Sequence, residues 1–344
     1  MPAVMNIGLF GAGNIGNTHA RAIQSIADAK IVAVFDSSRE KAMQLGATCG
    51  AGVYTDQEQF LSQRPMDMVI VATPSGLHAQ QGIAAAKKGL HILVEKPIDI
   101  RTERADALIR ACDESGVRCG VVFQERYAPG TLQLKNLISQ GALGRLLLVS
   151  AHVPWYRPPE YYTESSWHGV KEIDGGGALI NQGIHTLDLL LWLVGDVANI
   201  QAATPTLLQP TKSEDTALAL LEFANGAFGT IEITTVAYPG YERRIEIRGT
   251  EGTVILEAER IVKADLRSKT DCVVGDVGVL AGDRAKSWVV ADVSGHRSVI
   301  EAFIGAIRSG SAFACDGREA RRSLELVERI YAAADEFRKN NSRQ

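Results

Sequence analysis

Three patterns in this 344-residue chain could do chemistry, and the earliest is a glycine-spaced turn. Gly11-Ala12-Gly13-Asn14-Ile15-Gly16 follows the apolar run Ile7 to Phe10, and Asp36 closes a second apolar run, Ile31 to Phe35. Gly11 allows a tight turn, Gly13 lets the backbone approach a pyrophosphate, and Gly16 permits close packing of a helix starting there. The N–H groups of Asn14 and Ile15 then face the phosphates, so the turn reads as a dinucleotide loop. At the end of its strand Asp36 can accept hydrogen bonds from an adenosine ribose. A carboxylate there repels a 2′-phosphate, which favours NAD over NADP, although Ser37, Ser38 and Arg39 follow and could embrace one.

The second pattern is the apolar segment from Gly175-Gly176-Gly177 to Leu193, read as a buried helix. Its polar exceptions Asn181, His185 and Asp188 fall at i, i+4 and i+7, one face of a regular helix. Buried polar groups need partners, so the stripe is read as the wall of a site. The third is an aromatic cluster, Trp155, Tyr156, Tyr161, Tyr162 and Trp167, in a proline-containing stretch. Sugar rings stack their CH faces on such side chains, which makes the stretch a candidate substrate lid. A buried anchor or a subunit contact is the alternative.

The elements that must carry these residues come in two styles. Up to about residue 123, short apolar strands (Ile7 to Phe10, Ile31 to Phe35, Met68 to Ala72, His91 to Val94, Arg118 to Phe123) alternate with helical stretches near 14–27, 38–46, 78–88 and 102–115. That is the pattern of a doubly wound parallel Rossmann sheet. Ligands bind such sheets beyond the carboxyl ends of the strands. The residues found there are the glycine turn, Asp36, Thr73-Pro74-Ser75, Glu95-Lys96-Pro97 and Gln124-Glu125-Arg126. His78 lies near them, while His19 is read as a capping or packing residue.

Beyond residue 124 the runs Leu146 to Val153, Ala217 to Phe223, Gly226 to Val236, Arg243 to Arg248 and Thr253 to Ala258 are longer and alternate. Asn225-Gly226 and Gly249-Thr250-Glu251-Gly252 supply hairpin turns. The expectation is an α/β chain: a Rossmann domain over 1–123, then an α+β domain over 124–344 with a large, mainly antiparallel open sheet. One face of that sheet is free to pair with a second subunit. Residues 259–287 are assigned only to strand and loop. A helix near 317–339 carries a packing stripe.

Composition narrows the classes. The formal charge of −4 provides no basic surface for nucleic acid. Cys49, Cys112, Cys119, Cys272 and Cys315 are odd in number, scattered and never spaced Cys-x-x-Cys, so neither a disulfide framework nor a metal site is expected. With no signal-like or membrane-spanning apolar segment, a cytoplasmic protein is expected.

Taken together, the glycine turn, Thr73-Pro74-Ser75-Gly76-Leu77-His78, Glu95-Lys96-Pro97 and Gly175-Gly176-Gly177 with His185 and Asp188 resemble the Gfo/Idh/MocA oxidoreductases. The resemblance extends to Asp316-Gly317-Arg318-Glu319-Ala320. Within the family, Trp155-Tyr156-Arg157, Trp167 and Asn181-Gln182-Gly183-Ile184-His185 are similar to a branch containing sugar-nucleotide acid 3-dehydrogenases. The resemblance implies a nicotinamide cofactor and oxidation or reduction of a ring carbon of a sugar, cyclitol or derivative. It implies catalytic roles for Lys96 and His185. That suits the chemistry, because hydride removal from a secondary alcohol needs a base that works near neutral pH and a donor for the developing alkoxide. Cofactor contacts are then expected from Gly11, Gly13, Asn14, Ile15, Gly16, Asp36, Ser37, Thr73, Pro74, Ser75, His78, Glu95, Lys96 and Gln124. Substrate contacts are expected from Lys96, Arg126, Tyr156, Trp167, His168, Asn181, Gln182 and His185. Two departures matter. Many relatives have aspartate at the position of Asn181, which can bind and orient but not take a proton. His168 stands where arginine is frequent, which tilts the substrate toward a neutral sugar or cyclitol. Two alternatives remain open: an NAD-dependent glycosidase working through transient oxidation and elimination, and a non-catalytic nucleotide sensor. The resemblance also implies a homo-oligomer, dimer or tetramer.

Overall fold

Strands that are apolar throughout need cover on both faces, and the first unit supplies it. The computed structural model describes residues 3–163, 169–268, 274 and 292–341. Six strands, β1 (Met5–Phe10), β2 (Ala29–Phe35), β3 (Gly52–Tyr54), β4 (Met68–Val71), β5 (His91–Val94) and β6 (Cys119–Val121), form an all-parallel sheet in the order β3-β2-β1-β4-β5-β6. This is the doubly wound order whose direction reverses between β1 and β4, the point at which folds of this kind bind their ligands. Between the strands run α1 (Asn14–Gln24), α2 (Arg39–Cys49), α3 (Gln57–Ser62), α4 (His78–Ala86) and α5 (Thr102–Glu114). Phe10 is fully buried, with edge-on contacts to Phe35 at 4.6 Å and Phe60 at 5.0 Å between ring centroids.

The second unit is built on seven strands: β7 (Leu146–Pro154), β8 (Val197–Ala203), β9 (Thr216–Phe223), β10 (Phe228–Thr234), β11 (Arg244–Gly249), β12 (Gly252–Glu257) and β13 (Arg260–Leu266). Their order is β13-β12-β11-β7-β10-β9-β8, with β7 and β10 parallel and the other neighbours antiparallel. The buried face carries Val149, Ala151, Val153, Leu221, Ile231, Ile233, Ile245 and Ile247. Helices of this unit are α6 (Pro129–Ser139), the short α7 (Glu160–Thr163) and α8 (Lys171–Asp174), and α9 (Ile184–Leu193).

The chain divides into Met1–Gln124 with Val290–Leu324, and Glu125–Val289 with Glu325–Gln344. The division thus groups 292–324 of the described residues with the first unit, whereas the sequence reading set one boundary at 123/124. Helix α10 (Ser294–Ser309) lies in the nucleotide unit, where it packs on α1, and α11 (Gly317–Asn341) is divided between the units. Strands β3, β8 and β13 and helix α3 escaped the sequence reading of separate elements. Each of these strands is short or at a sheet edge, where alternation is weakest. Trp167, His168 and Cys272 lie outside the described residues.

Candidate functional site

The three glycines of the turn each answer a different steric demand. Gly11 has φ +110°, and a Cβ there would sit 2.6 Å from the Ala72 carbonyl oxygen. A Cβ on Gly16 would meet the Gly11 oxygen at 2.1 Å, whereas one on Gly13 would meet nothing within 4 Å. The backbone at Gly13 is thus the approachable point of the loop. Helix α1 begins there without a side-chain cap and without an acidic residue in its first turn, which leaves its N-terminal N–H groups to an anion. Asp36 ties the loop from the end of β2: Ala12 N–H donates to its Oδ2 and Ser38 N–H to its Oδ1, both at 2.8 Å. Ser38 in turn caps α2 through its hydroxyl, while Ser37 is exposed. These residues fit a dinucleotide.

Beyond β4 and β5 two loops are stitched together by one ring. His78 is buried, with Nδ1 2.8 Å from the Pro97 carbonyl oxygen and Nε2 2.8 Å from that of Thr73. Burial lowers its pKa, against the pull of those two carbonyls. The ring thus lies between the loops carrying Thr73-Pro74-Ser75 and Lys96, its two nitrogens facing the backbone of both, and a neutral ring donates to one of the two carbonyls at a time. Thr73 hydrogen-bonds Gln81, and Ser75 is buried. Gln124, at the end of this unit, has a buried Oε1 with no hydrogen-bond partner among the described residues.

Lys96 is half-buried and follows a carboxylate with three neighbours. Glu95 Oε1 accepts from His19 Nε2 at 2.7 Å and lies 3.8 Å from His296 Nε2, while Oε2 accepts the Lys96 backbone N–H at 3.1 Å. Burial would raise this carboxyl, but the His19 hydrogen bond and the charges of His19, His296 and Lys96 outweigh it and hold the pKa at about 2. His19 is therefore a buried hydrogen-bond partner of Glu95 and not a cap. His296, on α10, gave no sequence signal. The donor atoms of His19, Glu95 and His296 lie within 4.8 Å of one another. The 2.7 Å contact is a hydrogen-bond length, which makes the cluster a network anchoring the Lys96 backbone.

In the second unit the glycine run is a packing device. A Cβ on Gly177 would lie 1.8 Å from the Glu214 carbonyl oxygen, and one on Gly176 would lie 2.1 Å from the Tyr331 hydroxyl. The buried Glu214 carboxylate accepts from Gly177 N, Leu179 N and Tyr331 Oη, fixing the start of the following helix. Burial raises the Glu214 pKa, with those donors opposing it. Leu179–Gly183 is a π-helical turn, so the uniform step assumed for Asn181, His185 and Asp188 fails across it.

The stripe also separates by partner. Asp188 receives Arg126 through Nε and Nη2, each at 2.7 Å, and the two side chains are 1% and 2% exposed. That bidentate pair corrects two expectations: Asp188 is not a site wall, and the Arg126 guanidinium is committed inside the unit and not to a substrate. His185 is buried, with Nδ1 3.9 Å from Glu125 Oε1. Glu125 pairs with Arg243 through its other oxygen, and Arg243 pairs with Glu259. Sequence reading missed this chain because its members are far apart in sequence. Asn181 is half-buried. Gln182 reaches Tyr161 Oη at 3.4 Å, and its buried Oε1 has no hydrogen-bond partner among the described residues. Of the aromatics, Tyr162 is an anchor, buried and bonded to Thr235 at 2.9 Å. Trp155 stacks under Arg157, and Tyr156 lies edge-on to the exposed Tyr238.

Residues 5–123 match the family described as oxidoreductase family, NAD-binding Rossmann fold, and residues 131–255 match the GFO/IDH/MocA C-terminal domain. The chain belongs to the Gfo/Idh/MocA oxidoreductase family. Among family structures, the WlbA dehydrogenase from Bordetella pertussis, solved with NADH and UDP-GlcNAcA, superposes with a TM-score of 0.88 at 35% identity, covering 98% of this chain and 97% of that one. Inositol 2-dehydrogenase of Rhizobium meliloti is 27% identical over 97% of this chain and 98% of its own. The rhizopine catabolism protein MocA of Rhizobium meliloti is 30% identical over 72% of this chain and 76% of its own. The family assignment gives the first unit its cofactor, NAD. Among the described residues no helix is long and apolar enough to cross a membrane.

Proposed function

We propose that this protein is an NAD-dependent dehydrogenase acting on a secondary hydroxyl of a sugar, cyclitol or sugar derivative, with Lys96 and His185 at the reacting oxygen. The observation that carries the reading is the full-length likeness to a dehydrogenase solved with NADH and a nucleotide-linked sugar acid. Bound NAD supplies the hydride acceptor. His185 removes the hydroxyl proton as the carbinol carbon becomes trigonal, and Lys96 donates a hydrogen bond that stabilises negative charge developing on the same oxygen. Glu95 and its histidines hold the Lys96 backbone, and Asn181 and Gln182 offer amides to neighbouring hydroxyls. A nucleotide-linked sugar acid is the second reading, favoured by the same likeness; the expected contacts Tyr156, Trp167 and His168 serve either reading, with His168 offering an acid no bidentate fork.

The test is a panel of free sugars, inositols, sugar acids, UDP-linked sugars and glycosides, each with NAD and with NADP, followed by NADH absorbance. Net NADH formation with one of these classes is the expected result. Release of an aglycone without net NADH would replace the dehydrogenase with a glycosidase acting by transient oxidation. NAD binding with no turnover of any class would leave a nucleotide sensor.

A further inference from the structure

We propose that Glu125 is the positioning carboxylate of His185, fixing which ring nitrogen faces the substrate. This rests on the reading of His185 as the base. A histidine that takes a proton through one nitrogen is oriented by an acceptor at the other, which selects the tautomer and stabilises the imidazolium. The neighbour on its own helix segment, Asn181, is neutral. Asp188 is occupied by Arg126. Lys135, from α6, donates to the Trp192 carbonyl. The carboxylate that addresses the ring comes from the 3-10 turn Gln124–Tyr127: Glu125 Oε1 is 3.9 Å from His185 Nδ1, and the two side chains are 5% and 8% exposed.

Glu125 is itself held. Its Oε2 meets Arg243 Nη1, and Arg243 Nη2 meets Glu259 Oε1, so one buried guanidinium is clamped between two carboxylates. Glu259 reaches that position from a turn in which Ala258 (φ 46°) and Glu259 (φ 61°) both adopt left-handed backbone without a glycine. Such conformations persist where the surroundings over-determine them, and here the pairing with Arg243 does so. The line Glu125–Arg243–Glu259 thus fixes a carboxylate on the Nδ1 side of the ring, 3.9 Å away and outside hydrogen-bond length, and in the proposal Nδ1 turns its proton to that side so that Nε2 accepts from the substrate.

The experiment compares pH profiles of kcat/KM for alcohol oxidation in the wild type, Glu125→Gln and His185→Ala. A carboxylate beside the ring favours its protonated form, so its removal moves the acidic limb of Glu125→Gln to lower pH by about one unit and lowers kcat about 10- to 100-fold, with NAD affinity kept. A limb that disappears in His185→Ala but is unmoved in Glu125→Gln overturns the role of Glu125 alone. A limb that survives in His185→Ala overturns the base itself. Nitrogen NMR of the wild-type holoenzyme tests the same point without any variant: neutral His185 carries its proton on Nδ1, and a proton on Nε2 would overturn the proposal.

Discussion

At the scale of single residues, Lys96 and Glu95 are neighbours with opposite tasks. The Lys96 side chain is only half-buried, whereas its backbone N–H is tied to Glu95, so truncation removes the ammonium without loosening the strand end. Lys96→Ala is expected to lower kcat by about two to three orders of magnitude and leave the NAD dissociation constant within about twofold, read by steady-state kinetics and cofactor fluorescence. Unchanged turnover would remove Lys96 from the mechanism. Glu95 acts on stability instead. Its folded pKa of about 2 lies below the ordinary 4.5, so its contribution is present at neutral pH and disappears as pH falls between those values. With a shift of this size worth about 3 kcal/mol, the wild type should lose Tm from pH 5 to 2.5 more steeply than Glu95→Gln. Parallel Tm curves would contradict the assignment. Asp36, Lys96 and His185 could be singled out as candidates in the sequence because each stands on a locally recognisable element. The tie from Asp36 to Ala12, the His19–Glu95 pair and the Glu125–Arg243 pair were not, since no local pattern encodes a partner tens of residues away.

At the scale of elements, Arg126 and the helix bearing His185 show where periodicity misleads. Asn181, His185 and Asp188 share a face on an ideal helix, and an arginine after a strand end invites an anion. The π-helical turn breaks the first inference, and the Arg126–Asp188 fork disposes of the second. Breaking a buried pair leaves an uncompensated charge at a cost of about 3 to 5 kcal/mol, far more than an exposed pair contributes. Arg126→Leu is therefore expected to lower the urea midpoint sharply, while the fraction that remains folded keeps an ordinary substrate KM. A raised KM at unchanged stability would return Arg126 to the substrate. The glycine run at 175–177 carries the same lesson, being demanded by Glu214 and Tyr331, whose positions in the chain no motif announces.

At the scale of the whole molecule, five of the six strands of the parallel sheet were readable because residues buried on both faces leave continuous apolar runs, whereas the exposed edge strand β3 was not. The return of 290–324 to the nucleotide unit was not, since the apolar stripe of α10 is the same whichever core it covers. The second sheet raises a different question, that of its outer face. On β7, β9 and β10 the outward side chains Leu148, Leu218, Leu220 and Phe228 are 49%, 43%, 44% and 46% exposed, and register sets Phe228 beside Leu148. Around them lie His152 with Glu232 and the Arg244, Glu246 and Arg248 cluster. An apolar centre with a charged rim is the anatomy of a protein interface, and a flat sheet face is self-complementary about a two-fold axis. A second copy of this chain is the partner expected on this face. Light scattering is expected to find a dimer or tetramer, and the pair Leu148→Glu with Phe228→Glu to yield monomers with NAD affinity retained, because both positions lie outside the nucleotide unit. A wild-type monomer, or an oligomer indifferent to both charges, would rule out assembly through this face.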